Sequence, residues 1–178
     1  LEIKMKRRKI SVIIAMSILL ITCTMLAGCD DKKVNKEDSR DIYAMDTYMS
    51  LKASGKECSK ALDDAVNEIN RLDKIFSVTN KNSEVYIANE NGTAKLSDET
   101  AKMLEIALSI NQKTKGNFDI TIYPLVCEWG FIDKNYNVPS KSTIEGLLKN
   151  VGSDKIKYDK ETKTITLPKG VMIDFGGI

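Results

Sequence analysis

The clearest signal along the chain is a helical repeat. Between residues 56 and 76, Cys58, Ala61, Leu62, Ala65, Val66, Ile69, Leu72, Ile75 and Phe76 recur at three- and four-residue spacing. That pattern predicts one long amphipathic helix with a single buried stripe. Before it, Tyr43, Met45, Thr47, Met49 and Leu51 alternate with smaller or polar residues, which predicts a strand. After it, residues 77–83 read as a loop, residues 83–89 as a short helix, and Asn91-Gly92 as a turn. Ser97 stands where an N-cap would, with Asp98 and Glu99 in the first turn of a second helix. Ala101, Leu104, Ala107 and Leu108 make its inner face, and Gly116 is its stop. Residues 118–123 read as a β-branched strand, and residues 133–140 as a loop around Pro139. A third, shorter helix covers residues 143–150 and closes at Gly152. Residues 156–158 and 164–167 form a hairpin, and Pro168-Lys169-Gly170 turns into a last strand over residues 171–175. Helices and strands mix without strict alternation, so the expected class is α+β, with a mixed, mainly antiparallel sheet and packed helices.

The stretch richest in chemistry is Gly116-Asn117-Phe118-Asp119-Ile120-Thr121-Ile122-Tyr123-Pro124-Leu125, followed by Trp129-Gly130-Phe131. Residues two apart in a strand share a face, so a strand here would point Asp119 and Thr121 together. Pro124 would then end the pairing, since it offers no N–H. Two readings stand. The polar pair and the aromatics form the rim of a small-molecule pocket, or a strand simply enters a turn with Trp129 and Phe131 as core.

Charge and export change the picture next. The formal charge of the 178 residues is +2, but Lys4, Lys6, Arg7, Arg8 and Lys9 cluster ahead of an apolar run over residues 10–25. Leu26-Ala27-Gly28-Cys29 follows. A basic segment, an apolar segment and small residues before a cut make a secretory signal, and an ending in cysteine makes a lipobox with Cys29 as the diacylated residue. The expected layout is a signal peptide over residues 1–28, a polar tether over 29–41 and a folded part over 42–178. The cell membrane, reached through lipid on the extracytoplasmic face, is the expected location. Loss of residues 1–28 turns the net charge from +2 to −2, which leaves no electrostatic footprint for nucleic acid. Cys58 and Cys127 then remain, with neither zinc-site nor disulfide-framework spacing, and a single bridge between them stays open. There is no histidine, which excludes a His base or His ligand in this chain.

Gly116-Asn117-Phe118-Asp119-Ile120-Thr121-Ile122-Tyr123-Pro124-Leu125-Val126 with Trp129-Gly130-Phe131 close behind resembles the G-x-F-D-x-T-x-x-P-L-V…W-G-F signature of the ApbE family, the FAD:protein FMN transferases. The resemblance runs from about Met45 to the last residue. It implies flavin-nucleotide contacts at Met45, at Asn117, Phe118 and Asp119, and at Asp174. Met45-Asp46-Thr47 stands for the family's M-G-T, with Asp46 in place of glycine. Residues 76–84 resemble S-x-Y-x-x-x-S-E, with Thr79 where the family carries an aromatic beside the cofactor. Ile173-Asp174-Phe175-Gly176-Gly177-Ile178 resembles the start of D-L-G-G-I-A-K-G, in which the position of Gly177 helps to hold magnesium. The implied partners are FAD, Mg²⁺ and an acceptor protein of a membrane electron-transfer complex, and the implied reaction is FMN transfer to a Thr or Ser hydroxyl with release of AMP. No residue is nominated as catalytic base. Because the family's A-K-G and its later metal-binding half do not follow, the expectation is an incomplete domain with weak or no activity by itself. The alternatives are Mg²⁺-dependent FAD hydrolysis and a non-catalytic flavin-binding lipoprotein.

Overall fold

The computed structural model describes residues 36–178. The signal-like segment, Cys29 and residues 30–35 of the tether lie outside the described residues. An eight-residue strand, β1 (Glu37–Ala44), already occupies part of the stretch expected to be tether. It pairs antiparallel with β2 (Thr47–Ser54), Ala44 facing Thr47. The expected single strand through Met45 is therefore a hairpin. Met45 and Asp46 are its two turn residues, at φ 51° and 52°, the conformation that matches the strands' own twist. Aspartate tolerates this left-handed geometry better than most residues. The straight alternation misled because a two-residue turn reverses parity. Ile42 and Ala44 of β1 share the helix-facing side with Met49 and Leu51 of β2, while Tyr43 and Tyr48 pair on the outer side, 64% and 67% exposed.

The inner side lies on α1 (Cys58–Phe76), whose buried residues are Cys58 and Leu62. Polar clasps fix the two together. Ser59 donates to Asp38 at 2.7 Å and Arg40 to Asp63 at 3.0 Å. At the other end of the rod, the Met45 N–H donates to Asp73 at 3.0 Å. The hairpin tip thus sits at the C-terminal end of α1, roughly 26 Å from the start of β1 by strand rise.

The rest of the fold gathers around one apolar cluster. Ser83 caps α2 (Glu84–Asn91) through the Tyr86 N–H, and Gly92 ends it at φ 71°. A short strand that the residue pattern did not announce, β3 (Thr93–Lys95), follows. Ser97 caps α3 (Asp98–Lys113), as its position implied. The expected hairpin forms as β4 (Lys157–Asp159) and β5 (Thr164–Thr166), and the three-stranded antiparallel sheet has the order β3-β5-β4. Val85, Leu104, Ile120, Ile165, Ile173 and Phe175 are all buried in one cluster between this sheet and the helices. The α+β class holds, with antiparallel pairing throughout the described sheets. Among the described residues no helix is long and apolar enough to cross a membrane.

Two expected strands are absent as such. Residues 120–122 form a 3-10 turn that runs into α4 (Tyr123–Glu128), with Pro124 in its first turn. Proline fits there because that N–H has no helical partner in any case. Residues 171–175 take no regular secondary structure and, among the described residues, join no sheet. The helix expected at residues 143–150 is α5 (Lys141–Leu148), capped by Ser140.

Candidate functional site: a corner clamped from two sides

Asp119 lies just after α3 and just before the 3-10 turn, and its position follows from capping. Its Oδ1 accepts the Thr121 N–H at 2.9 Å and the Thr121 hydroxyl at 2.6 Å. Asp119 and Thr121 do converge, but through an N-cap and not along a strand face. Ser153, distant in sequence, donates its hydroxyl to Oδ1 at 2.8 Å and its N–H to Oδ2 at 2.8 Å. Asn111 of α3 donates to Oδ2 at 3.0 Å and to the Phe118 carbonyl at 2.7 Å. Thr121, fully buried, accepts the Gly152 N–H on its hydroxyl at 2.7 Å. Five donors from three segments therefore converge on one carboxylate, which has about four lone-pair sites. Burial alone would raise the Asp119 pKa, but the hydrogen bonds from Thr121 and Ser153 outweigh it and leave it below the ordinary value. Both oxygens of Asp119 therefore already accept hydrogen bonds from the protein itself.

Directly beside this hub lies the diglycine corner. The Asp174 N–H donates to the Ile120 carbonyl at 3.0 Å. The Phe118 ring covers Gly177 so closely that a Cβ there would come within 3.3 Å of Cε2. Phe76, at the end of α1, meets Phe175 edge to face with centroids 5.9 Å apart. Asp73, which holds the Met45 N–H, lies one helical turn before Phe76. The structure so brings the hairpin tip, the end of α1, residues 118–120 and residues 174–177 to one end of the molecule. Thr79 is exposed in the loop that follows Phe76, its N–H bonded to Ser77. Asn117 is exposed, and its amide donates to the Thr114 carbonyl at 2.8 Å.

Asp174 differs from Asp119 in what it has left to offer. Among the described residues its carboxylate accepts one hydrogen bond, from the Gly176 N–H at 2.9 Å. Tyr123 and Cys127, one turn apart on α4, stand close enough to sense its charge. Burial pushes the Tyr123 phenol up, and the Cys127 contact and the charges of Asp174 and Glu90 push the same way. Partial desolvation of its sulfur raises the Cys127 thiol too, although the residue as a whole is exposed; the Tyr123 contact opposes this, and the charges of Asp174 and Asp133 add to it. Both shifts favour the protonated forms. Cys58 and Cys127 are free thiols, the first buried and the second exposed.

The aromatics after α4 do not fill the core. Phe131 is 58% exposed and stacks edge to face on Tyr136, centroids 5.8 Å apart. Gly130 closes that loop at φ 73°, where a Cβ would lie 2.0 Å from the Asn135 carbonyl oxygen. An open concavity of about 440 Å³ lies elsewhere, along Lys157, Tyr158, Asp159, Thr162, Thr164 and Thr166, and includes none of the expected site residues. The residue pattern did not mark Asn111, Ser153 and Tyr123 as parts of the corner. The one available signal was the helix-end position of Asn111 beside the Phe118-Asp119 pair.

A family model described as the ApbE family matches residues 45–178. The FAD:protein FMN transferase of Chlamydia pneumoniae is 24% identical over 164 residues, covering 90% of this chain and 52% of that protein. The protein of the same name from Buchnera aphidicola subsp. Baizongia pistaciae is 34% identical over 116 residues, covering 62% of this chain and 31% of its own. The crystal structure of the ApbE protein from Thermotoga maritima superposes with TM-score 0.74 at 28% identity, over 80% of this chain and 48% of that one. The flavin transferase ApbE from Vibrio cholerae gives TM-score 0.70 at 20% identity and shows the same fold. The chain spans about half the length of these relatives, or less.

Proposed function

The chain belongs to the ApbE family, and from that we propose that it forms the flavin-nucleotide-binding part of an FAD:protein FMN transferase. The observation that carries this reading is the contact of residues 118–120 with residues 174–177, through the Asp174 N–H and the Phe118 ring. Two motifs some 55 residues apart in sequence form one corner. In that corner Asp174 supplies a carboxylate with acceptor capacity to spare, and Phe118 supplies apolar area. Met45, Asn117 and Thr79 border it from the hairpin tip, the turn after α3 and the loop after α1. Asp119 acts beneath the surface by holding Phe118 and Ile120 in place.

The reaction is attack by an acceptor Thr or Ser hydroxyl on the FMN-side phosphorus of FAD. An oxygen–phosphorus bond forms, the bridging bond breaks, and AMP leaves. The residues of this chain bind and orient the nucleotide, and no proton transfer is assigned to any of them. The donor chemistry of the corner is oxygen, from the Gly177 carbonyl and the peptide groups around it, which suits magnesium. Among the described residues no three acidic or cysteine side chains gather to complete a shell. Gly177 would thus hold the ion only jointly with nucleotide phosphates, water and ligands from elsewhere. When bound, the ion would neutralise charge on the pyrophosphate.

Full-length protein incubated with FAD, Mg²⁺ and an acceptor peptide tests the reading by mass spectrometry. The expected result is a peptide heavier by one FMN and one equivalent of AMP. AMP without modified peptide would replace transfer by FAD hydrolysis. FAD binding without either product would leave a non-catalytic flavin-binding lipoprotein. The acceptor is then a subunit of a membrane electron-transfer complex, which the anchor at Cys29 would bring within reach. Two acyl chains suffice for stable membrane attachment. Cys29→Ala is accordingly expected to move the protein from the membrane to the soluble fraction, and unchanged fractionation would refute the anchor.

A further inference from the structure

Residues 171–175 pose an accounting question. Val171, Ile173 and Phe175 are 4%, 1% and 4% exposed, yet among the described residues the segment pairs with no strand. Buried backbone groups need partners, and at Ile173 both come from one side chain. The Asn89 Oδ1 accepts the Ile173 N–H at 2.8 Å, and its Nδ2 donates to the Ile173 carbonyl at 2.9 Å. A neighbouring strand would make the same two bonds to a residue. The next N–H, that of Asp174, points to the other side and meets the Ile120 carbonyl at 3.0 Å. Asp174 therefore sits between two anchors. One is Asn89, carried by the last turn of α2, and the other is the Ile120 carbonyl, held by the Asp119 hub.

We propose that Asn89 is a positioning residue for the nucleotide site, which makes the two bonds a sheet neighbour would make and so aims the Asp174 carboxylate at the ligand. This rests on the reading of Asp174 as a nucleotide contact. The side chain of Asn89 need not touch the nucleotide, because it acts through the Ile173 peptide groups. Alanine removes both bonds. Aspartate keeps the size and the acceptor, but it loses the donor and sets a negative charge against the Ile173 carbonyl. If side-chain volume alone mattered, aspartate would be harmless.

The test compares full-length unaltered protein, Asn89→Ala and Asn89→Asp. It reads the FAD dissociation constant, the KM for FAD and for the acceptor, kcat at saturating FAD, thermal midpoint and amide exchange at Ile173. Both variants are expected to weaken FAD binding and raise its KM by roughly five- to twentyfold. The acceptor KM and the saturated kcat stay unchanged, and the Ile173 amide exchanges faster. A loss of kcat in proportion to unfolded protein, with KM for FAD unmoved, would overturn the proposal, as would full FAD affinity in either variant. Failure of the unaltered protein to bind FAD would sink the underlying reading instead, and exchange at Ile173 would still report whether Asn89 holds that peptide.

Discussion

Asp119→Ala is expected to destabilise the fold by about 3–4 kcal/mol, because it strands the donors of Ser153, Thr121 and Asn111 in a partly buried site. The effect should reach well beyond one side chain. Asp119 is where the end of α3, the 3-10 turn at residues 120–122 and the turn at Ser153 meet. Without it the Ile120 carbonyl has no fixed place from which to receive the Asp174 N–H, so FAD binding should fail together with stability. Urea unfolding of the variant and the unaltered protein measures the first effect. A midpoint within experimental error of the unaltered protein would refute the hub. The pH dependence has a definite sign. A carboxyl whose pKa is lower in the folded than in the unfolded chain stabilises fully above its unfolded value, about 4. That contribution is lost as the pH falls through the still lower folded value. The stability gap between the two proteins should therefore be constant at neutral pH and narrow below about pH 4.

Asp174→Asn should separate binding from folding. Asparagine keeps an acceptor for the Gly176 N–H, which aspartate now bonds at 2.9 Å, so the thermal midpoint should move little. What disappears is the charge and with it the charge-assisted hydrogen bonds to the nucleotide, each worth about 1.5–3 kcal/mol. FAD affinity of the full-length protein is then expected to fall by roughly 30- to 100-fold. Isothermal titration reads this directly. Unchanged affinity would remove Asp174 from the site. The two carboxylates should thus behave as opposites, since Asp119 spends both oxygens on protein donors and Asp174 receives one bond from a glycine amide.

The helices were legible in the residue pattern where local chemistry decides. Ser83 and Ser97 cap their helices, Gly92 ends α2, and the long apolar stripe is α1. The hairpin at Met45-Asp46 was hidden because Met45 does not advertise positive φ and no Asn-Gly pair marks the turn. Residues 118–123 look like a strand by β-branching, yet Asp119 accepting the Thr121 N–H starts a helical turn and Pro124 fits its continuation. Local hydrogen bonding overrode propensity there. The site was half legible. Phe118 and Gly177 stand out as motif residues and do meet, and Asp174 bonds to Ile120 beside them, but Ser153 and Asn89 carry no signature in the chain and Asn111 only its helix-end position. Their roles exist only once segments far apart in sequence are folded together.

The Asn89 bracket on Ile173 has a consequence for how the chain is measured out. A strand inside a ladder can slip by two residues and find equivalent partners, since every rung is alike. An amide side chain offers a single donor–acceptor address, and only one peptide on the passing segment can occupy it. The corner is therefore indexed rather than zipped. Inserting or deleting one residue between β5 and Gly176 would leave no alternative rung on which Asp174 could land in the same place.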